Sequence, residues 1–187
     1  MSPRLALHLL GPPKLEIDGS PITADRRKAI ALLAYLALNR GRHTRDFLSA
    51  LLWPDYDQIK AFTNLRHILW EIQKTFGPGW LRVNRETIGL HQDANVWVDV
   101  HRFESLLSES QAQSDVSLRI PLLTESVKLY RHHFLAGFNL KNAPTFDEWS
   151  LTKADELRHK HTEALTLLAE DYYLLGDAES ALHYARR

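Results

Sequence analysis

The sequence predicts a mainly α-helical chain with a small β component. Its first half should combine a small antiparallel sheet, three helices and a hairpin, and its second half should be helical throughout. Three patterns carry that prediction. Apolar residues alternate singly with polar ones near the start of the chain. From residue 26 to 76 they recur instead at three- and four-residue steps, the period of an amphipathic helix. Beyond Asp99 only the helical period remains.

Leu5, Leu7 and Leu9 alternate with Arg4, Ala6 and His8, which predicts a half-buried strand. Gly11-Pro12-Pro13 breaks it. Lys14 to Ile17 alternates again, and Asp18-Gly19 is a hairpin turn. Pro21 and Ile22 form a short edge strand, because proline has no N–H to give to a ladder.

Arg26 to Asn39 predicts the first helix, with Ala29, Leu32, Leu33, Leu36 and Ala37 as its buried stripe. Arg26, Arg27 and Lys28 fall in its first turn, where cations oppose the helix dipole at a few tenths of a kcal/mol each. They are expected either to be solvated or to meet a nearby phosphate. Gly41 follows the helix end. Thr44 caps a short helix, Arg45 to Leu52, whose apolar side is Phe47, Leu48, Leu51 and Leu52.

The third helix is the longest of the first half. Asp57 caps it, Gly77-Pro78 stops it, and Ala61, Leu65, Ile68, Leu69, Ile72 and Phe76 share its inner face. Lys60, Thr63, Asn64, Arg66, His67, Trp70 and Lys74 make the other face. About 20 residues at a 1.5 Å rise give a rod of roughly 30 Å. Such a rod fits a DNA major groove, and Asn, Arg and Lys are side chains that read base edges and phosphates. A solvated polar face is the alternative. Trp70 is expected to pack on the neighbouring helical half, since tryptophans are usually largely buried.

Strand, turn and strand follow over Trp80 to Leu90, with Asn84 to Thr87 as the turn. A hairpin directly after a third helix is a wing, and the whole is a helix-turn-helix-like unit. Arg85 at the tip is placed to reach a minor groove or a phosphate, or is simply an exposed turn residue. Val96 to Val98 is a last strand or the exit into the second half.

His101 to Gln111 predicts a helix on Phe103, Leu106 and Leu107. A second is expected over Leu118 to Phe134, with Pro121 in its first turn and a stripe of Leu122, Leu123, Val127, Tyr130 and Phe134. Thr145-Phe146-Asp147-Glu148 reads as a capping box opening a long helix to Leu175. Gly176-Asp177 turns into a final helix, Ala178 to Arg187, with Ala181, Leu182 and Ala185 inward. A long helix, a tight turn and an alanine-rich return helix look like a tetratricopeptide hairpin. Such hairpins bury their faces by stacking, so the chain is expected to continue in a longer parent or to pack on another subunit.

The 187 residues carry no net formal charge, but the charge is unevenly distributed. Residues 1–97 hold 13 Lys/Arg against 9 Asp/Glu, a formal +4, and residues 98–187 hold 10 against 14, a formal −4. A basic half joined to an acidic half is the asymmetry expected when one domain meets nucleic acid. The expected boundary is therefore 1–97 and 98–187. With no cysteine, disulfides and thiolate metal sites are excluded. The opening apolar run is too short for a signal peptide or a membrane span, so a cytoplasmic location is expected.

In order, LEIDGSPI, RRKAIALLAYLAL, LLWPD, NLRHILWEIQKTFG, WVDVHRFESLL, KLYRHHFL and EALTLLAEDYYLLGDAESALHYARR resemble the SARP-type regulators and their larger ATP-binding relatives. These are bacterial transcriptional activators in which an OmpR-type winged helix precedes a bacterial transcriptional activator domain. The resemblance implies a recognition helix, about 58–76, in the major groove of promoter DNA and a wing, about 80–91, on the backbone or minor groove. It implies base or backbone contacts from Lys60, Thr63, Asn64, Arg66 and His67, and phosphate contacts from Lys74 and Arg85. Arg42 and Arg45 would lie at the backbone. It also implies two copies on direct repeats, a possible homodimer, and contact with RNA polymerase or other transcription machinery. Relatives often carry arginines near the end of the third helix, where this chain has Glu71 and Gln73. Fewer cations mean fewer released counterions and a weaker, less salt-sensitive complex.

No phosphate-cradling glycine loop, HExxH helix or GxSxG elbow is present in the sequence. His132-His133 and His159 with His161 are spaced wrongly to share a helix face as metal ligands, and Asp147-Glu148 reads as helix-start acid. No cofactor and no enzymatic activity are expected. The competing reading is a helical-repeat scaffold for protein partners whose winged domain does not bind DNA. A weaker third is a ligand groove lined by Trp149, Tyr172 and Tyr173.

Overall fold

The computed structural model describes residues 4–22 and 27–187. Arg26, expected to open the first helix, lies outside the described residues. The first half runs β1 (Leu5–His8), β2 (Lys14–Ile17), β3 (Ser20–Ile22), α1 (Arg27–Leu38), β4 (His43–Thr44), α2 (Arg45–Leu52) and α3 (Gln58–Phe76). It closes with β5 (Leu81–Val83), β6 (Thr87–Leu90) and β7 (Val96–Val98). The helices α4 (Asp99–Gln111), α5 (Val116–Leu129), α6 (Pro144–Leu174) and α7 (Ala178–Ala185) follow. The expected class is what is seen: a small sheet, three helices and a wing, then a helical half.

The first sheet has the order β3-β2-β1-β7. β1 and β2 pair antiparallel, Leu5 opposite Ile17 and Leu7 opposite Leu15. β7 pairs with β1 in parallel, Leu5 beside Val96 and Leu7 beside Val98. The sheet is thus mixed, where an antiparallel one was expected. A parallel pair needs a long crossover, and here the crossover is the entire three-helix and hairpin segment, which local alternation cannot reveal. The second sheet, β4-β6-β5, is the wing plus a two-residue strand, with His43 opposite Ile88. A Cβ on Gly89 would collide with the Gly41 carbonyl oxygen, so only glycine lets the wing close on this loop.

The main core joins α1, α2 and α3 to the second half through Phe103, Phe134, Phe146 and Leu157. α1 is buried on nearly all sides, consistent with its mean apolar character. Of its first-turn cations, Arg27 is exposed and Lys28 half-buried, and both also bond main-chain carbonyls. Arg27 Nε donates to the Asn139 carbonyl at 3.0 Å with its guanidinium over the Phe138 ring, and Lys28 Nζ donates to the Leu52 carbonyl at 2.5 Å. A smaller core holds Leu123, Val127, Ala164, Leu165 and Leu168.

Asp99 ties the halves together. Its buried carboxylate accepts the Leu9 N–H at 2.8 Å and the Leu10 N–H at 2.9 Å. Burial pushes its pKa up, and the two amides pull it back. The Leu135 N–H in turn donates to the Leu9 carbonyl at 2.9 Å.

Several details of the helices differ from expectation. α5 starts at Val116 behind Asp115, so Pro121 sits in its second turn and removes one interior donor. α5 also ends at Leu129, leaving Phe134 buried from a loop. The capping box is not formed: α6 begins at Pro144, whose missing N–H suits the first helical position, and Ala143 provides no side-chain cap. On α7 only Ala181 is buried; Leu182 and Ala185 are exposed, as is Phe47 on α2.

Candidate nucleic-acid interface

α3 is fixed at both ends by its own sequence. Asp57 Oδ1 accepts the Lys60 N–H at 2.9 Å, and Gly77 leaves the helix at φ +82°. Ala61, Leu65, Ile68, Leu69, Ile72 and Phe76 are its buried residues, the same six that the helical period selects. Trp80 Nε1 donates to the Phe76 carbonyl at 2.6 Å and so pins the helix end to the hairpin entrance.

With that face held inward, Lys60, Thr63, Arg66, His67, Trp70, Gln73 and Lys74 are exposed. The second half does not cover them. Thr63 turns its hydroxyl back to the Ile59 carbonyl at 2.8 Å. Trp70 does not pack on the helical half: it is 54% exposed, with Lys74 Nζ 4.9 Å above its ring and His67 edge-on at 5.9 Å. At 100° per residue Trp70 falls beside Thr63 and close to Lys74, opposite the buried stripe. That spacing outweighs the general tendency of tryptophan to be buried. Ile59, also on this face, is 80% exposed and was not singled out by sequence.

Asn64 is half-buried on one flank. It lines a cleft with Arg27, Trp53, Tyr56 and Lys141, between α1, α3 and the loop before α6. It is thus set apart from the open face that carries the other α3 residues.

The wing is a compact turn. Asn84 Oδ1 accepts the N–H groups of Glu86 at 2.9 Å and Thr87 at 2.6 Å. Arg85 is exposed at its tip. Arg45 is half-buried, and its guanidinium donates to the Asn84 carbonyl, while its own N–H donates to the Glu86 carbonyl at 2.9 Å. The start of α2 and the wing are therefore brought together, which no sequence signal indicated. Arg42 is exposed in the loop before β4.

Other predicted chemistry is not assembled. Trp149 packs against Tyr35, Phe134 and Phe146, whereas Tyr172 stacks on Tyr184 and Tyr173 is 74% exposed, so these three line no common groove. His159 faces Asp155 at 3.5 Å and His161 stacks on Tyr130 at 4.2 Å. Among the described residues no group of His, Asp and Glu is arranged to hold a metal ion, and no helix is long and apolar enough to cross a membrane.

Residues 98–187 match the bacterial transcriptional activator domain family. A 75-residue stretch is 33% identical to the transcriptional regulatory protein EmbR of Mycobacterium bovis and of Mycobacterium tuberculosis, covering 40% of this chain. That stretch spans only 19% of the length of those relatives. A solved structure of Mycobacterium tuberculosis EmbR, in complex with a low affinity phosphopeptide, superposes on the whole of this chain with a TM-score of 0.69. The sequence identity there is 21%, the match covers 59% of that chain, and the likeness is one of fold. A winged helix followed by a match to this activator domain makes the chain similar to the SARP-like bacterial transcriptional activators.

Proposed function

We propose that this protein is a sequence-specific activator that binds double-stranded promoter DNA, with α3 in the major groove and the wing on the backbone or minor groove. The observation that carries this reading is the bare outer face of α3, cationic at Lys60, Arg66 and Lys74 and open to solvent along its length. In this reading residues 1–97 are the DNA-binding unit and residues 98–187 the activator unit. Arg66, His67 and Thr63 meet base edges, Lys60, Lys74, Arg42 and Arg85 meet phosphates, and Asn64 contacts the backbone from the flank. Arg45 contributes by holding the wing at its working angle. Two copies on direct repeats, in the cytoplasm, would present their activator units to RNA polymerase.

Fluorescence anisotropy with promoter DNA at several salt concentrations tests the proposal. The expected result is an association constant that falls linearly on a log–log plot against salt. An affinity indifferent to salt overturns it. One observation favours a second reading, a scaffold for protein partners: Ile59 and Trp70 place apolar surface on the same face. Salt-insensitive binding combined with capture of a protein through that face would select it.

A further inference from the structure

A cavity of about 530 Å³ opens where the two halves meet. Its floor is apolar, formed by Leu36 and Ala37 at the end of α1 and by Val98 of β7. Its rim carries Arg40 and Arg42 from the loop after α1, Arg82 from β5, and two histidines, His91 and His101. Among the described residues, no Asp or Glu lines it. The neighbouring acids are engaged elsewhere: Glu104 accepts Lys160 Nζ at 2.6 Å, and Asp99 accepts the Leu9 and Leu10 amides. Asp93 stands outside the rim, 3.8 Å from His91 and 92% exposed. Among the described residues, no carboxylate or carbonyl pairs with the guanidinium of Arg40, Arg42 or Arg82.

We propose that this cavity binds a small organic anion, a carboxylate, sulfonate or phosphate ester carried on an apolar body, at the junction of the winged and activator units. Three uncompensated guanidiniums at one mouth repel one another, and an anion among them relieves that repulsion. Arginine presents a planar fork that matches carboxylate and phosphate oxygens in pairs. The apolar floor takes the body of the ligand, and the volume lies within the roughly 300–1,000 Å³ of small-molecule sites. Burial, and after it the nearby Arg40 charge, lower the His101 pKa against the opposing pull of Glu104 and Asp99, which disfavours a further cation at the rim. Duplex DNA fits the cavity poorly: no residue of α3 lines it, and a phosphodiester chain offers nothing to an apolar floor. The walls come from α1, the wing and β7–α4 together, so an occupant braces the two units against each other. The site shares only Arg42 with the DNA-binding proposal, and the variants that test it leave that residue in place.

The test uses the full chain and 1-anilinonaphthalene-8-sulfonate as the probe. N-phenyl-1-naphthylamine, which has the same rings without the sulfonate, is the control. Fluorescence titration is expected to give saturable one-site binding of the sulfonate and weaker binding of the neutral compound. The R40Q/R82Q variant removes exposed charge and no core packing. It is expected to weaken the sulfonate at least tenfold and leave the neutral compound unchanged, with circular dichroism reporting an intact fold. Ala94→Phe, which fills the cavity, is expected to abolish saturable binding of both. Unsaturable binding, equal binding of the two compounds, or unchanged sulfonate affinity in R40Q/R82Q overturns the proposal. If R40Q/R82Q weakens duplex DNA and leaves the sulfonate unaffected, these cations belong to the DNA backbone and the small-anion site is refuted.

Discussion

Arg45 and Asn84 lie 39 residues apart in sequence, yet the guanidinium of the first grips the main-chain carbonyl of the second, through Nε at 3.0 Å and Nη2 at 2.9 Å. The wing turn therefore takes its direction from the first turn of α2 rather than from its own short strands.

Arg45→Ala should free the wing. Charge-assisted bonds to a carbonyl at a partly exposed site are worth about 1 kcal/mol, so chemical denaturation should register a loss of that order. DNA affinity should fall by more than that stability loss explains, and hydrogen exchange at Glu86 and Thr87 should accelerate.

Trp70→Ala should leave stability within about 0.5 kcal/mol, because it removes surface rather than core. It should weaken DNA binding measured by anisotropy. Trp80→Phe provides the contrast. It leaves the Phe76 carbonyl without its donor and should cost on the order of 1 kcal/mol in a urea melt.

Lys74→Ala and Arg66→Ala should differ in kind. If Lys74 binds a phosphate, its removal should weaken all duplexes alike and reduce the salt slope by about 1. If Arg66 reads a base, its removal should cost about 1–3 kcal/mol on the promoter and relax specificity at one position. Titrations against promoter and scrambled duplexes separate the two.

The activator unit contains a mostly buried ion pair. Asp171 is 2% exposed at its side chain and receives Arg119 Nε at 2.7 Å, and this hydrogen bond raises the Arg119 pKa. Asp171→Ala would strand the guanidinium, and the expected loss is about 3 kcal/mol by urea denaturation.

His161 makes stability depend on pH. Burial, aided by the Arg187 charge, lowers its pKa from 6.5 to about 4. The unfolded chain therefore takes up this proton first. The contribution of neutral His161 is complete above 6.5 and is lost as pH falls from 6.5 toward about 4. Thermal melts across that range should show a shallower decline for His161→Phe than for the native chain.

The parts legible in the sequence are those set by a local period. The six inward residues of α3, the Thr44 and Asp57 caps and the wing turn each depend on neighbours a few positions away. What the sequence left unread depends on partners far along the chain. β7 pairs with β1 across the whole winged segment, β4 exists only because β6 passes beside it, and Phe134 reaches the core from a loop. The same division runs through the candidate interface. The open face of α3 follows from its helical period, but the grip of Arg45 on the wing and the flank position of Asn64 required tertiary contacts. For Trp70 the period and the burial tendency of tryptophan pointed in opposite directions, and the period prevailed.

The amides of Leu9 and Leu10 rely on a carboxylate ninety residues downstream. A polypeptide severed after Trp97 would leave raw main chain facing grease, with nothing to quench it. Anyone transplanting the head of this molecule onto a foreign tail would have to bring α4 along. The portable module thus extends past the natural-looking seam.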